Sequence, residues 1–558
     1  MRTSRATGVI LAGAAAVAAA LVLPGLMEEP RQVQAQDGNM AGTALVEKTR
    51  LGKHAYLKRL SLDLRNTTPS WDDYDALSQV EGDNVPLETI DAMLDSSEFL
   101  EVMREYHRDL LWANVTNIDY IQFPWALSRS TVGPDDDRHS VYYLRRKGVY
   151  FRGGPEDDEN DVIPCGHWEA TFDELGRPER ICDNDDSGRC REGWVWVEPY
   201  WNPEEPIKVC AFDAQDTQYS QAGDINCGTR GSRRETTCGC GEGMRFCSYG
   251  GDARVEAEVG RSMAEQMFQI IEWVIDENRP YHEILTTRRS FVNGKLSFYL
   301  RHQVALSGGV DLEPSPIDPA FLPDMDWRDE TWLPVLQGEE HSGILTSYAF
   351  MLRFQTNRGR VNRFYNSFLD NFFDASVASD SPDCLENSAD LTKMRGCQKC
   401  HVAVEPWAAY WARWKQQGGG YLTPSQFPAY DETCETCARA GIGTCPTYCR
   451  NEYVVEAVFE DREPYLGFLR GYEFLRENNR INAEAGPRLW VERTIQDGSL
   501  AKGIVSKMWK HFMRRPFNSS KADIEISQDL ARRFIASDYN LKELIKAIVT
   551  HPAYRRVR

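Results

Sequence analysis

The sequence has no excess of positive charge. Its 64 Lys and Arg stand against 84 Asp and Glu, a formal net charge of −20, and that balance argues against a nucleic-acid protein, because phosphate binding needs clustered cations. No HExxH pair, glycine-rich phosphate loop or Ser-His-Asp order occurs, so zinc-peptidase, phosphate-loop and serine-hydrolase chemistries have no motif to rest on. Beyond the N-terminus no uncharged run approaches the ~20 residues that span a bilayer. Intrinsic disorder is excluded as the default, since 42% of the residues are apolar and 15 are tryptophan.

What is present begins with a leader. Arg2 and Arg5 precede an apolar run from Gly8 to Leu23, Pro24 and Gly25 break it, and Val33-Gln34-Ala35 offers a small-residue cleavage site. Residues 1–35 read as a secretory signal peptide that sends the mature protein to the periplasm or cell surface. An uncleaved anchor through Met27 is the other reading of the same run. Fifteen cysteines suit an exported, disulfide-stabilised chain.

The stretch around which the chain is organised is Cys397-Gln398-Lys399-Cys400-His401. Two thiols three residues apart can form thioethers to a porphyrin while the adjacent imidazole meets the iron. A redox dithiol and half a zinc site are the competing readings, and Cys434-Glu435-Thr436-Cys437 supplies a second CxxC for the latter. Export favours one covalent haem c, bound through Cys397, Cys400 and His401. After the motif, Glu405 and Pro406 are expected to begin a helix whose Trp407, Tyr410, Trp411 and Trp414 share a face. That face is expected to wall the haem, with Trp407 and Trp411 as cofactor contacts.

A second absence bears on the iron. No Met and no His occurs between His401 and Met508, which excludes the distal methionine of a small soluble cytochrome. The expected distal ligand is His511, with Met508 second, because a C-terminal helix could close over the open side. Met513, His341, Met351 and Met394 remain as further candidates, and five-coordinate iron is the third arrangement. Arg395, Lys399 and Arg413 are candidate propionate partners.

The expected fold is mainly α: a multidomain helical scaffold with a cysteine-rich β/loop insertion and an embedded c-type cytochrome-like haem segment. Helical spacing marks an N-terminal domain at 43–117, with His54 and His107 as packing histidines. Residues 118–251 lose that spacing and gain Gly, Pro, Asp and short β-branched or aromatic runs, the mark of a β-rich insertion. Its eight cysteines, at 165, 182, 190, 210, 227, 238, 240 and 247, imply four disulfides, with Cys238 and Cys240 reaching different partners. Asp183 to Gly188 copies the first half of an EF-hand loop, but Trp194 stands where the bidentate Glu belongs, which argues against calcium. Helices return at 252–374, where Met263, Met267, Ile270, Ile271 and Val274 form a core stripe. The haem segment with its cysteine cluster is placed at 375–465 and a C-terminal helical domain at 466–558. Cys434, Cys437, Cys445 and Cys449 make two disulfides or one zinc knot, export favouring disulfides, and Cys384 is left over.

Several blocks also resemble a known group. Tyr56 to Ser70 (YLKRLSLDLRNTTPS), with LDSSEFLEVM from Leu94, resembles the opening domain of unknown function in planctomycete and myxobacterial cytochrome-associated proteins. ENRPYHEILTTRRSFVNGKLSFYL from Glu277, HSGILT from His341, TNRGRVNRFY from Thr356, MWKHFMRRPF from Met508 and YNLKELIKAIVTHPAYRR from Tyr539 resemble further blocks of that group. His341 stands where an arginine is usual in it. The resemblance covers most of the chain outside the insertion and implies a lineage that carries a CxxCH, without implying a reaction.

The functional expectation is extracytoplasmic electron transfer through the haem to a redox partner protein. The alternatives are a haem-dependent oxidoreductase or peroxidase-like enzyme with an open iron position, and a recognition or scaffold protein with structural haem whose contacts would include Trp194, Trp196 and Trp201.

Overall fold

The structure is a computed structural model that describes residues 50–112, 125–130, 140–144, 165, 169–182, 190–249, 254–306, 317–372, 388–394 and 397–556. The expected signal peptide, the half EF-hand at 183–188, Cys384 and Arg395 lie outside the described residues. Residues Leu51–Arg556 form one compact unit.

Four helices open it: α1 (Lys53–Arg65), α2 (Trp71–Ser78), α3 (Leu87–Leu94) and α4 (Ser97–Leu111). Their starts follow from local chemistry. Ser70 and Asp73 form a reciprocal capping box, and the Ser96 hydroxyl accepts the amide of Phe99. Leu57, Leu60, Leu64, Phe99, Met103 and Leu111 fall on the inward faces and are buried.

The insertion supplies β1 (Ala126–Ser130), β2 (Val141–Tyr143), β3 (Ile181–Cys182), β4 (Cys190–Arg191), β5 (Trp194–Val197), β6 (Ile207–Cys210) and β7 (Ser248–Tyr249). Five of these make a sheet in the order β5-β6-β2-β1-β7, and β3 pairs with β4. Disulfides Cys165–Cys210, Cys227–Cys238 and Cys240–Cys247 staple it, and Cys182 is disulfide-bonded as well. Cys238 and Cys240 do reach different partners. The glycine between them is required by space, since a Cβ on Gly239 would meet the carbonyl oxygen of Gln215 at 2.3 Å.

The chain then returns to helices: α5 (Arg254–Asp276), α6 (Glu283–Thr286), α7 (Gly294–His302), α8 (Tyr348–Arg353) and α9 (Asn357–Phe368), with β8 (Arg289–Val292) antiparallel to β9 (Leu333–Leu336). The Met263 to Val274 stripe of α5 is buried, as its spacing predicts. Within HSGILT, Gly343 takes φ +49 and lies so close to α6 that a Cβ would meet the carbonyl oxygen of Ile284 at 2.1 Å.

Next come α10 (Gln398–Ala408), α11 (Glu432–Ala440), α12 (Thr447–Glu452), α13 (Glu477–Gln496), α14 (Ser499–Met513), α15 (Lys521–Ala536) and α16 (Leu541–Val549). The four-cysteine cluster forms two disulfides, Cys434–Cys449 and Cys437–Cys445, so zinc is not needed to hold it. The two ends of the unit meet: Tyr56 donates to the carbonyl of Val549 at 2.9 Å, Tyr554 donates to Asp63 at 2.6 Å, and the Arg59 guanidinium lies 4.0 Å over the Tyr554 ring. Helices from both ends and from the middle share one hydrophobic core, running from Tyr56 to Tyr554. The fold is therefore mainly α with few, short strands. Among the described residues no helix is long and apolar enough to cross a membrane.

Candidate functional site

The CxxCH motif occupies the first turn of α10. Cys397 is the N-cap residue, its carbonyl accepts the amide of His401 at 3.1 Å, and the amide of Gln398 donates to Met394 at 2.9 Å. A helix places Cys397 and Cys400 about one turn apart on one side, with His401 next to them. This start differs from the expected one at Glu405 and Pro406: Pro406 lies inside the helix. Its ring leaves the carbonyl four residues back without its usual amide partner, and the helix tightens into a 3-10 turn at Ala409–Trp411.

His401 is oriented by a carboxylate. Its Nδ1 lies 2.6 Å from Glu405 Oε1, one turn further along α10, and the same oxygen accepts Arg358 Nε from α9 at 2.5 Å. With Nδ1 engaged by the carboxylate, Nε2 is the ring nitrogen left for a metal. The cysteines differ from each other. Cys400 carries a thiol, whereas Cys397 is disulfide-bonded to a cysteine outside the motif. His401 and Cys400 therefore fit a covalently attached porphyrin as they stand, and Cys397 fits only once its disulfide is open.

The aromatic run faces the core. Tyr410, Trp411 and Trp414 are buried, and Trp407 is partly so. All but Trp414 gather on Trp490 of α13, which stacks with Trp407 at 5.1 Å and Tyr410 at 5.7 Å and takes Trp411 edge-on at 5.8 Å. Trp411 Nε1 donates to the carbonyl of Leu345, and Trp414 packs on His341 and Tyr421. Trp407 and Trp411, the expected cofactor contacts, pack against α13 through Trp490. Trp490, a lone tryptophan in PRLWVER, is the organising residue that sequence reasoning missed; its only signal is a short apolar run, Leu489-Trp490-Val491, in a polar stretch.

The expected distal ligands lie elsewhere. Met508 is buried in the helical core. His511 opens onto a groove bordered by α1, α4 and α14, to which residues 397–411 contribute nothing. Met351 is fully buried, and so is His341, whose Nδ1 lies 3.0 Å from Thr346 Oγ1; burial, with Arg488 and Arg288 near, pushes its imidazole down to about 3. Arg413, a candidate propionate partner, has its guanidinium held by Glu484 at 2.8 Å and by the carbonyls of Leu422 and Phe427. Lys399 is exposed. In the insertion, Trp194 and Trp196 sit ring to ring at 5.8 Å on β5 under the Lys208 ammonium, and Trp201 packs against Tyr200.

Beside α10 runs a groove of about 760 Å³, within the size range of small-molecule sites. Val402, Glu405, Pro406 and Ala409 line it together with Tyr465, Arg470 and Phe474. Phe474 is held at φ +56, a left-handed conformation uncommon for a bulky side chain. Burial lowers the pKa of Arg470, whose guanidinium donates to the carbonyls of Arg450 and Asn451. The lining holds five cations and three carboxylates, a locally basic groove on a strongly acidic chain. Glu405 joins the two features, since it lines the groove and also holds His401. Among the described residues no cluster of three or more His, Cys, Asp or Glu is arranged to hold a metal ion. No protein-family model, curated protein or solved structure matches the chain.

Proposed function

We propose that the chain is an exported mono-haem c-type protein, of the cytochrome-associated lineage its sequence blocks resemble, that moves electrons outside the cytoplasm. The observation that carries this reading is the CxxCH motif in the first turn of a helix with His401 fixed through Nδ1 by Glu405. Cys400, and Cys397 once its disulfide is reduced, would hold the group and His401 would meet its iron. Haem, when bound, supplies a one-electron couple. The chain's own residues set the surroundings: Glu405 holds the His401 imidazole through Nδ1, and Arg358 steadies that carboxylate by donating to the same oxygen. Disulfides suit an oxidising compartment, and the basic groove beside α10 suits an acidic redox partner.

A second reading gains from one observation. His511 opens onto a groove to which residues 397–411 contribute nothing, and Met508 is buried among apolar side chains, which favours iron with an open position and hence a haem oxidoreductase.

The test is expression alongside a cytochrome c maturation system, followed by intact mass and optical spectra with and without carbon monoxide. One added haem mass, lost in His401→Ala or Cys400→Ser, is the expected result. A polypeptide with no added mass and no pigment overturns both readings. A low-spin spectrum indifferent to carbon monoxide selects electron transfer, and rapid gas binding selects the open-iron enzyme.

A further inference from the structure

A second groove, of about 680 Å³, lies between the end of α1, α4 and α14 and shares no lining residue with the groove beside α10. Its walls carry opposite charge. Glu98, Glu101, Glu105 and Asp109 follow one another along successive turns of α4, while Lys507, Lys510 and Arg514 do the same on α14. Yet the walls do not neutralise each other. Lys507 pairs with Asp370 at 3.0 Å, Arg514 with Asp63 of α1 at 3.2 Å, Glu101 with Arg104 at 3.6 Å and Glu105 with Arg108. Among the described residues no ion pair joins the α4 carboxylates to the α14 cations.

The floor explains why the gap stays open. The Tyr106 ring from α4 meets the His511 ring from α14 edge-on at 4.9 Å, so two rigid aromatic bodies space the helices. His511 makes no hydrogen bond among the described residues. Burial, with the Arg514 charge beside it, pushes its imidazole down to about 4. It is therefore neutral at physiological pH and offers one donor and one acceptor to whatever fills the groove. Val102, Leu110 and Leu62 supply apolar surface alongside.

We propose that this groove binds a short peptide with both termini free. The peptide ammonium meets the α4 carboxylates, its carboxylate meets Lys510, an apolar side chain rests on Tyr106 and Leu110, and a backbone amide bonds His511. Two or three extended residues, at ~3.3–3.6 Å each, separate the two charged ends further than a single amino acid does, which suits charges carried on two different helices. The inference is independent of the haem reading, because it uses no residue near the CxxCH motif.

The experiment is titration calorimetry of the full chain with Ala-Phe-Ala, with its N-acetylated form and with its C-terminal amide. The free tripeptide is expected to bind, and blocking either end should weaken it by about fivefold, the worth of one partly exposed ion pair. Lys510→Gln should erase the difference between acid and amide while keeping the difference between free and acetylated amine, and Glu105→Gln should do the reverse. Both substitutions are at exposed positions, and the blocked peptides test the idea without any variant. No binding of the free tripeptide up to millimolar concentration, or equal binding of all three forms, overturns the proposal.

Discussion

The insertion and the helical core hold themselves together by different means. Between Trp125 and Tyr249 the strands are two to five residues long, and four half-cystines, Cys227, Cys238, Cys240 and Cys247, sit inside the small core with Trp125, Leu127, Val209 and Phe246. The helical region instead gathers residues from Tyr56 to Tyr554 into one continuous apolar interior and uses large aromatics, with Trp490 at the centre of a stack. Short strands with one small core bury too little surface to offset chain entropy, so covalent links do part of the work. The long helices α1, α4, α5 and α13 to α16 carry no half-cystine, and the disulfides described outside the insertion fall at the start of α10 and around the short α11 and α12.

The comparison can be broken at three points. Trp490→Ala should cost about 4 kcal/mol, the usual cost of removing a buried tryptophan, read as a fall in the denaturation midpoint of the helical far-UV signal. Simultaneous loss of protease resistance in residues 190–249 would show that the two regions unfold as one and that the contrast is only local. Replacing both Cys227 and Cys238 by Ser opens a loop of sequence separation 11 and should cost about 3 kcal/mol of local stability. Hydrogen exchange should then rise across 209–249 and stay unchanged in α14 to α16; uniform change would refute the division.

The smallest effect is one of pH. His107 is buried in α4 between the Met103 carbonyl and the Tyr281 hydroxyl, both at 2.6 Å, and burial pushes its imidazole down to about 4 from 6.5. Its folded pKa is depressed, so the unfolded chain binds the proton more readily. The stability held by the neutral ring is complete above pH 6.5 and is lost as pH falls toward 4. Between pH 7 and 4.5 the loss should be about 2.5 kcal/mol, and urea denaturation of wild type against His107→Gln isolates it. The described part of the insertion contains no histidine, so its protease resistance should not follow this titration.

Much of this contrast was legible in the sequence. The α5 stripe has the 3.6-residue period and is buried, the insertion reads as β from its turn residues, and Cys238-Gly239-Cys240 is too tight to close on itself. The surroundings of the aromatic run after the CxxCH motif are not legible in the sequence, because periodicity shows that a face is covered and not by what. Trp407, Tyr410 and Trp411 are covered by Trp490, some eighty residues away in sequence. His511 and Arg413 escaped for the same reason: one faces Tyr106 of α4 and the other is clamped by Glu484.

What the sequence by itself determined is local: which stretches are helical, which region needs disulfides, and where a CxxCH could bind a porphyrin. These depend on neighbours a few residues apart, whose spacing the chain states directly. The tertiary structure alone decided that Glu405 is shared between His401 and Arg358, that Tyr56 and Asp63 meet Val549 and Tyr554, and that two charged helices stand apart around Tyr106 and His511. Those pairings join residues distant along the chain, and only packing of the whole core selects them.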